Sequence, residues 1–278
     1  MKKLVALTLI FTVVSCGGGG GSDSNGAETS RACGLIGLGE KIINGNACGD
    51  IGRSSVVRVI AQISNGAGSV NRPICTGSLV TPNVVLTAAH CVDPNFAGMG
   101  VYVGEPGAGR YVPARAISIA PGYRFEPSVS RSFNDAALLQ LTENLPIPVL
   151  PILTSRSAQV GEPGFVYGYG KREEGTSPGE GDDFFTLESG AMTVANVTPD
   201  HIFVVFDGNG VNVCNGDSGG PLVIETNGQP AVTGVVSEGS VTGCEVGDIT
   251  TFTNLQSTTL VNWLNTFVPN AFVRSAGN

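Results

Sequence analysis

From about Gly52 onward, short apolar runs alternate with turn residues along most of the chain. SSVVRVIAQIS (54–64), GSLVTPNVVLTAA (77–89), RYVPARAISIA (110–120), DAALLQL (135–141), GFVYGYG (164–170), GAMTVANV (190–197), HIFVVF (201–206) and PLVIETNGQPAVTGVVS (221–237) predict strands. Inside the last run, Thr226-Asn227-Gly228 predicts a hairpin, because Asn-Gly adopts the positive φ angles of a tight turn. One segment has a different period. In QSTTLVNWLNTFV (256–268), Leu260, Trp263, Leu264 and Phe267 share one helical face, with Ser257 placed to cap the start and Pro269 to stop the end. The single tryptophan lies on that face and is expected in the core. No tandem repeat is evident.

Composition narrows the class. With 278 residues the chain can hold one large domain or two modest ones. Its 40 glycines, 16 prolines and 14% charged residues suit an all-β protein of short strands and tight turns. The net charge of −8 supplies no basic footprint for phosphates, so nucleic acid is excluded as a partner.

The first residues are of another kind. Lys2 and Lys3 precede an apolar run from Leu4 to Val14, which predicts an export signal too short to span a membrane. Val13-Val14-Ser15-Cys16 resembles a bacterial lipobox, so Cys16 is expected to carry lipid and anchor the protein to an envelope membrane. Residues 17–30 hold almost nothing to bury and predict a flexible tether. The boundaries read as 1–16 signal, 17–41 tether and propeptide, and 42–278 one folded region with a tail from 269. Setting Cys16 aside leaves Cys33, Cys48, Cys75, Cys91, Cys214 and Cys244, an even number that in an exported chain implies three disulfides among 15 possible pairings. The acidic stretch KREEGTSPGEGDD (171–183) has no defined calcium-loop spacing and is read as a solvated loop. No metal or cofactor is expected, and the chain is expected to act as a monomer.

The candidate chemistry is nucleophilic. It needs a hydroxyl, a base, a carboxylate to orient the base, and donors for an oxyanion. Only two histidines are present: His90 in LTAAHC, after an apolar run, and His201 in TPDHIF, read as an ordinary loop residue. LTAAHC (86–91), NDAALLQL (134–141) and GDSGGP (216–221) occur in that order, with CTGSLV (75–80) before the first. In this the chain resembles the secreted serine endopeptidases of the chymotrypsin/trypsin family over about residues 42–268. G-D-S-G-G is not the G-x-S-x-G of a lipase elbow. A non-catalytic protease-like binding protein is the other alternative, but such proteins usually lose a triad residue.

The resemblance implies two six-stranded antiparallel β-barrels with a C-terminal helix, and protein or peptide substrates. It assigns His90 as general base, Asp135 as its orienting carboxylate, Ser218 as nucleophile, and the N–H groups of Gly216 and Ser218 as the oxyanion hole. Ser237 would support Asp135 and begin a substrate-pairing strand through Glu238 and Gly239. It pairs Cys75 with Cys91 and Cys214 with Cys244, leaving Cys33 with Cys48. EKIING (40–45) matches the family's activation junction, with cleavage at Lys41/Ile42 and pairing of the new Ile42 ammonium with Asp217. The base of the primary pocket falls on Asn212, where Arg- and Lys-specific members carry aspartate; a neutral amide cannot neutralise a buried cation. Thr250 is expected on the pocket wall. Glu238 stands where the family carries an aromatic residue that walls the pocket mouth; a carboxylate there can attract a basic substrate side chain from the side, and the expectation weighed above it is a solvated rim acid. With a pocket that does not favour lysine, a separate activating protease is expected to cut at Lys41.

Overall fold

The computed structural model describes residues 31–36, 48, 53–64, 68–105, 108–170, 186–208, 211–240 and 244–273. Cys16, the tether, the Lys41/Ile42 junction, loop 171–183 and the tail from 274 lie outside the described residues.

The first half closes into a barrel. Strands β1 (Val56–Ser64), β2 (Ser69–Thr81), β3 (Val84–Thr87), β4 (Gly98–Val103), β5 (Arg110–Ile119) and β8 (Ala137–Leu141) run in the order β1-β2-β3-β8-β5-β4 and leave no edge. Val59, Leu79, Val85, Val101, Val112 and Leu139, one from each strand, are fully buried within it. Between β5 and β8, a two-stranded ribbon of β6 (Arg124–Glu126) and β7 (Arg131–Phe133) leads directly to Asp135.

The second half is a seven-stranded sheet in the order β10-β9-β13-β14-β15-β12-β11, formed by β9 (Pro163–Gly168), β10 (Glu188–Thr193), β11 (Asn196–Val197), β12 (His201–Val205), β13 (Pro221–Thr226), β14 (Gln229–Gly239) and β15 (Ile249–Asn254). Its two edges, β10 and β11, are one chain run broken only at Val194-Ala195. Val194 N–H donates to Glu162 on the β9 side and Ala195 N–H to Phe203 on the β12 side. The bend returns the sheet upon itself as a half-barrel, so the expected sixth strand serves as two edges. The β13–β14 turn places Asn227 at φ 51° and Gly228 at φ 71°, as the Asn-Gly pair predicts.

The C-terminal helix runs Thr258–Phe267, with the Ser257 hydroxyl accepting from Leu260 N–H at 3.3 Å. Leu260, Trp263 and Leu264 are buried, and Trp263 Nε1 donates to Ser118 on β5, which fixes the helix to the first barrel. Phe267 differs from expectation: it is half exposed at the helix end, its ring tilted 58° to that of Trp263 with centroids 6.3 Å apart. Among the described residues no helix is long and apolar enough to cross a membrane.

Residues 31–35 form a short helical turn that docks on the second half. Ala32, Cys33 and Ile36 are buried, Tyr167 Oη donates to Ala32 O at 2.6 Å, and Arg31 meets Glu225 at 3.1 Å. The cysteines pair as Cys33–Cys48, Cys75–Cys91 and Cys214–Cys244, which fits an oxidising, extracellular compartment.

Candidate active site

His90 sits in a single 3₁₀ turn, Ala89–Cys91, directly after β3. Asp135 lies where the β6–β7 ribbon re-enters the barrel at β8 and is fully buried. The carboxylate accepts three bonds: from His90 N–H at 2.9 Å, His90 Nδ1 at 2.7 Å and Ser237 Oγ at 2.6 Å. Burial opposes its ionisation, but the bond from the His90 ring, the charge of that ring, the Ser237 hydroxyl and the His90 amide together hold Asp135 below the usual carboxylate range. Because a carboxylate only accepts, Nδ1 carries the proton, and neutral His90 keeps Nε2 as an acceptor.

Ser237 reaches Asp135 because of a bulge. The β14–β15 register passes from Val236↔Phe252 to Glu238↔Thr251, leaving Ser237 outside the ladder and turned toward the carboxylate. Thr253 on β15 adds a bond from its hydroxyl to Asp135 O at 3.0 Å.

Ser218 lies in the loop between β12 and β13 and is held against the histidine turn: Thr76 N–H donates to Ser218 O at 2.9 Å, and Cys91 Sγ lies 3.9 Å from that oxygen. Two residues before it, Gly216 has φ 103°, a conformation that needs glycine. Cys75, His90 and Cys91 place three potential ligand atoms within 4.8 Å, but both sulfurs are consumed in the Cys75–Cys91 disulfide and no thiolate is left to bind a metal.

Asp217 faces another way. Its carboxylate borders a cavity of about 210 Å³ lined in part by Val166, Gly170, Glu188, Gly190 and Val211. Oδ1 accepts from Gly170 N–H at 2.8 Å and Oδ2 from Cys214 N–H at 2.9 Å. Burial pushes its pKa up to about 6; the two amides oppose the rise and the nearby Glu188 charge adds to it.

Beside Ser218 opens a second cavity, of about 260 Å³, bordered by Val213–Asn215, Val236–Gly239, Cys244 and Asp248. Four expectations change here. Thr250 is absent from this lining; it is 1% exposed behind it, donating to Asn212 Oδ1 at 3.1 Å, and Asp248 stands on the wall instead. The register of this segment was hidden in the sequence by the residues inserted before Cys244. Glu238 is not a solvated rim acid: it accepts from Ser132 N–H at 3.2 Å and lies 3.9 Å from Arg131 Nε, and burial raises its pKa against both partners. His201 is not a loop residue. It opens β12, is 3% exposed, and its Nε2 donates to Ser132 O at 2.7 Å, below the segment that carries Asp135; burial lowers its pKa. Asn212, expected at the base of the primary pocket, is likewise absent from the lining of the cavity beside Ser218 and lines the Asp217 cavity instead, with Nδ2 donating to Cys244 O and Asp248 Oδ2 and Oδ1 accepting from Val213 N–H.

The family model described as Trypsin matches residues 42–264. Among curated proteins, brachyurin of Leptuca pugilator is 30% identical over 206 residues, covering 69% of this chain and 86% of that protein. Chymotrypsin-like elastase family member 1 of Homo sapiens is 30% identical over 217 residues, 70% of this chain and 81% of the relative. Chymotrypsin-C of Bos taurus is 31% identical over 217 residues, 70% of this chain and 78% of the relative.

Proposed function

Given that this chain belongs to the trypsin family and is a serine endopeptidase, we propose that His90, Asp135 and Ser218 are its catalytic triad and that it is made as a zymogen. In the first half of the reaction, Ser218 Oγ attacks the scissile carbonyl carbon as its proton passes to His90 Nε2. The N–H groups of Gly216 and Ser218 hold the oxyanion. The tetrahedral intermediate then collapses, the C–N bond breaks, and His90 returns the proton to the leaving amine. Water repeats the sequence on the acyl-enzyme: its proton goes to His90, its oxygen bonds to the acyl carbon, and Ser218 leaves with the proton back on Oγ. Asp135 fixes the tautomer and stabilises the imidazolium. The observation that carries this reading is the Ser237–Asp135–His90 hydrogen-bond chain beside a serine that opens onto a substrate-sized cavity.

Activation follows from cleavage at Lys41/Ile42: the Ile42 ammonium enters the cavity beside Asp217, and the ion pair orders the Gly216 loop. A buried carboxylate whose pKa is pushed up to about 6 is a group in want of a cation, which supports this assignment. The Cys33–Cys48 bond and the docked turn at 31–35 keep the propeptide on the enzyme after the cut, and a lipid on Cys16 keeps both at an envelope membrane. The residue that the family's alignment sets at the pocket base is here the neutral Asn212, which reaches the Ser218 cavity only through its bonds to Cys244 O and Asp248 Oδ2, so basic specificity of the Asp-at-the-base kind is not expected. Substrate backbone pairs with Ser237–Gly239.

Fluorophosphonate labelling tests the reading. Ser218 is expected to label after cleavage at Lys41 and not before, and His90→Ala is expected to abolish labelling. Equal labelling of cut and uncut protein overturns the zymogen; no labelling of either overturns the triad. On gels, the cut protein is expected to shed its 17–41 segment only under reducing conditions.

A further inference from the structure

His201 is one of two histidines in the chain, and the mechanism above leaves it without a task. Its ring is buried against the β6–β7 ribbon. Phe133 meets it edge-on at 4.9 Å between centroids and Phe203 lies at 5.8 Å, with Arg124 over Phe133 and Arg131 over Phe203. Nε2 lies 2.7 Å from Ser132 O; a carbonyl only accepts, so Nε2 carries the proton and a neutral ring suffices for the bond. Burial, aided by the Arg131 charge, lowers its pKa against the Ser132 carbonyl, Asp200 and Asp135, which favours that neutral form. The other main-chain group of Ser132 is claimed as well: its N–H donates to Glu238 Oε1 at 3.2 Å. Ser132 stands opposite Phe125 in the ribbon, and both of its polar groups leave by the outer edge. Two side chains of the second half, one donor and one acceptor, therefore stand where a neighbouring strand would pair. Three residues on, Asp135 is met from the same part of the sheet. Thr253, opposite His201 in the β12–β15 ladder, donates to Asp135 O at 3.0 Å, and Ser237, next to Glu238 on β14, donates to its Oδ2. Between these fixed points Asn134 takes φ 50°, a left-handed conformation that the surrounding bonds must hold.

We propose that His201 is a positioning residue for the triad: holding Ser132 by its carbonyl while Glu238 holds the amide, it sets the path of the chain through Asn134 and aims the Asp135 carboxylate at His90 Nδ1. The inference rests on the reading of His90, Asp135 and Ser218 as the triad. His201 is not among the residues bordering the cavity beside Ser218, so it acts through Asp135 and not on bound substrate. Without its donor, the Ser132 carbonyl is left buried and unpaired on that side, and the segment 132–135 shifts to satisfy it. A small displacement of the carboxylate that orients the base then lowers the rate of the chemical steps, because the reaction depends on a narrow geometry. The aromatic neighbours alone do not supply this: they fill space around the ring, whereas the hydrogen bond fixes one main-chain atom.

The test uses the full chain cut at Lys41/Ile42. His201→Phe keeps a ring between Phe133 and Phe203 and removes the donor; kcat for peptide hydrolysis is expected to fall about 10-fold with KM unchanged. His201→Gln, whose amide donates from nearly the place of Nε2, is expected to recover most of that loss. In the double variant with Ser237→Ala, which acts on the same carboxylate, the combined loss is expected to fall short of the product of the two. A loss in KM instead of kcat, no recovery with Gln, or losses that multiply overturns the proposal and leaves His201 as packing. Because the chain has two histidines, NMR of isotopically labelled imidazole nitrogens resolves both rings in the unsubstituted enzyme: His201 is expected as the Nε2–H tautomer and His90 as the Nδ1–H tautomer. A His201 without a proton on Nε2 overturns the proposal even where neither variant folds. Fluorophosphonate labelling separates the failures. A wild type that labels, with kcat unmoved in His201→Phe, overturns this inference alone, whereas a wild type that does not label overturns the triad beneath it.

Discussion

Asp135 and Asp217 are both withdrawn from water, yet their acidities move in opposite directions. Asp135 accepts from a histidine ring, an amide and a hydroxyl, and is held below the usual range. Asp217 accepts from two backbone amides beside the Glu188 charge and is raised to about 6. Burial penalises the anion in both places. What differs is whether the fold has already supplied the partners that outweigh the penalty. In the proposed mechanism, Asp135 is therefore complete before activation, and Asp217 is the part that cleavage completes.

Breaking the complete site has the largest effect. Asp135→Asn turns an amide N–H₂ or a single carbonyl toward His90 Nδ1 and releases the tautomer; kcat of the cut enzyme is expected to fall roughly 10⁴-fold. A loss below 10-fold, measured by steady-state peptide hydrolysis, means that the hydrogen-bond chain is not catalytic.

The incomplete site is next, and pH reads it. With its pKa raised by folding, Asp217 contributes stability to the uncut precursor that is full below about pH 4 and lost as pH rises through about 6. That difference is on the order of 3 kcal/mol. Asp135 has the opposite sign: held below its usual value, it contributes stability at neutral pH that is lost as pH falls through its lowered pKa. Denaturant melts of the precursor from pH 4 to 8 are expected to show the Asp217 slope, and Asp217→Asn is expected to remove it. After cleavage at Lys41 the slope is expected to flatten, because the Ile42 ammonium then favours the anion. A slope unchanged by the cut breaks the comparison.

The smallest change tests one partner of the complete site. Ser237→Ala removes the hydroxyl that the β14 bulge aims at Asp135. The expected loss in kcat is roughly 10-fold, with the pH profile of kcat displaced because the Asp135–His90 pair loses a donor. A merely structural role for Ser237 lowers stability and leaves that profile in place.

Legibility in the sequence followed the range of the interaction. The Asn227-Gly228 hairpin, the helix capped by Ser257 and the spacing of LTAAHC, NDAALLQL and GDSGGP are local, and each is readable because its physics involves neighbours in the chain. The strands of the second half were also legible one by one, except β15, whose short run Ile249–Asn254 has no strong apolar alternation. That β10 and β11 are a single run bent to meet both edges was not, since the bend is fixed by Glu162 and Phe203.

By itself, then, the sequence determined the class of fold, the order of the candidate catalytic residues and the even set of cysteines left once Cys16 is set aside. Only the tertiary structure decided what surrounds those residues. A one-residue bulge between Val236 and Glu238 turned Ser237 toward Asp135. The ribbon carrying Arg131 and Ser132 buried His201 and claimed Glu238. The turn before β15 put Asp248, not Thr250, against Gly239. In each case a shift of one or two residues decides which side chain faces the cleft, because neighbouring strand positions point to opposite faces, and only the long-range register fixes that shift.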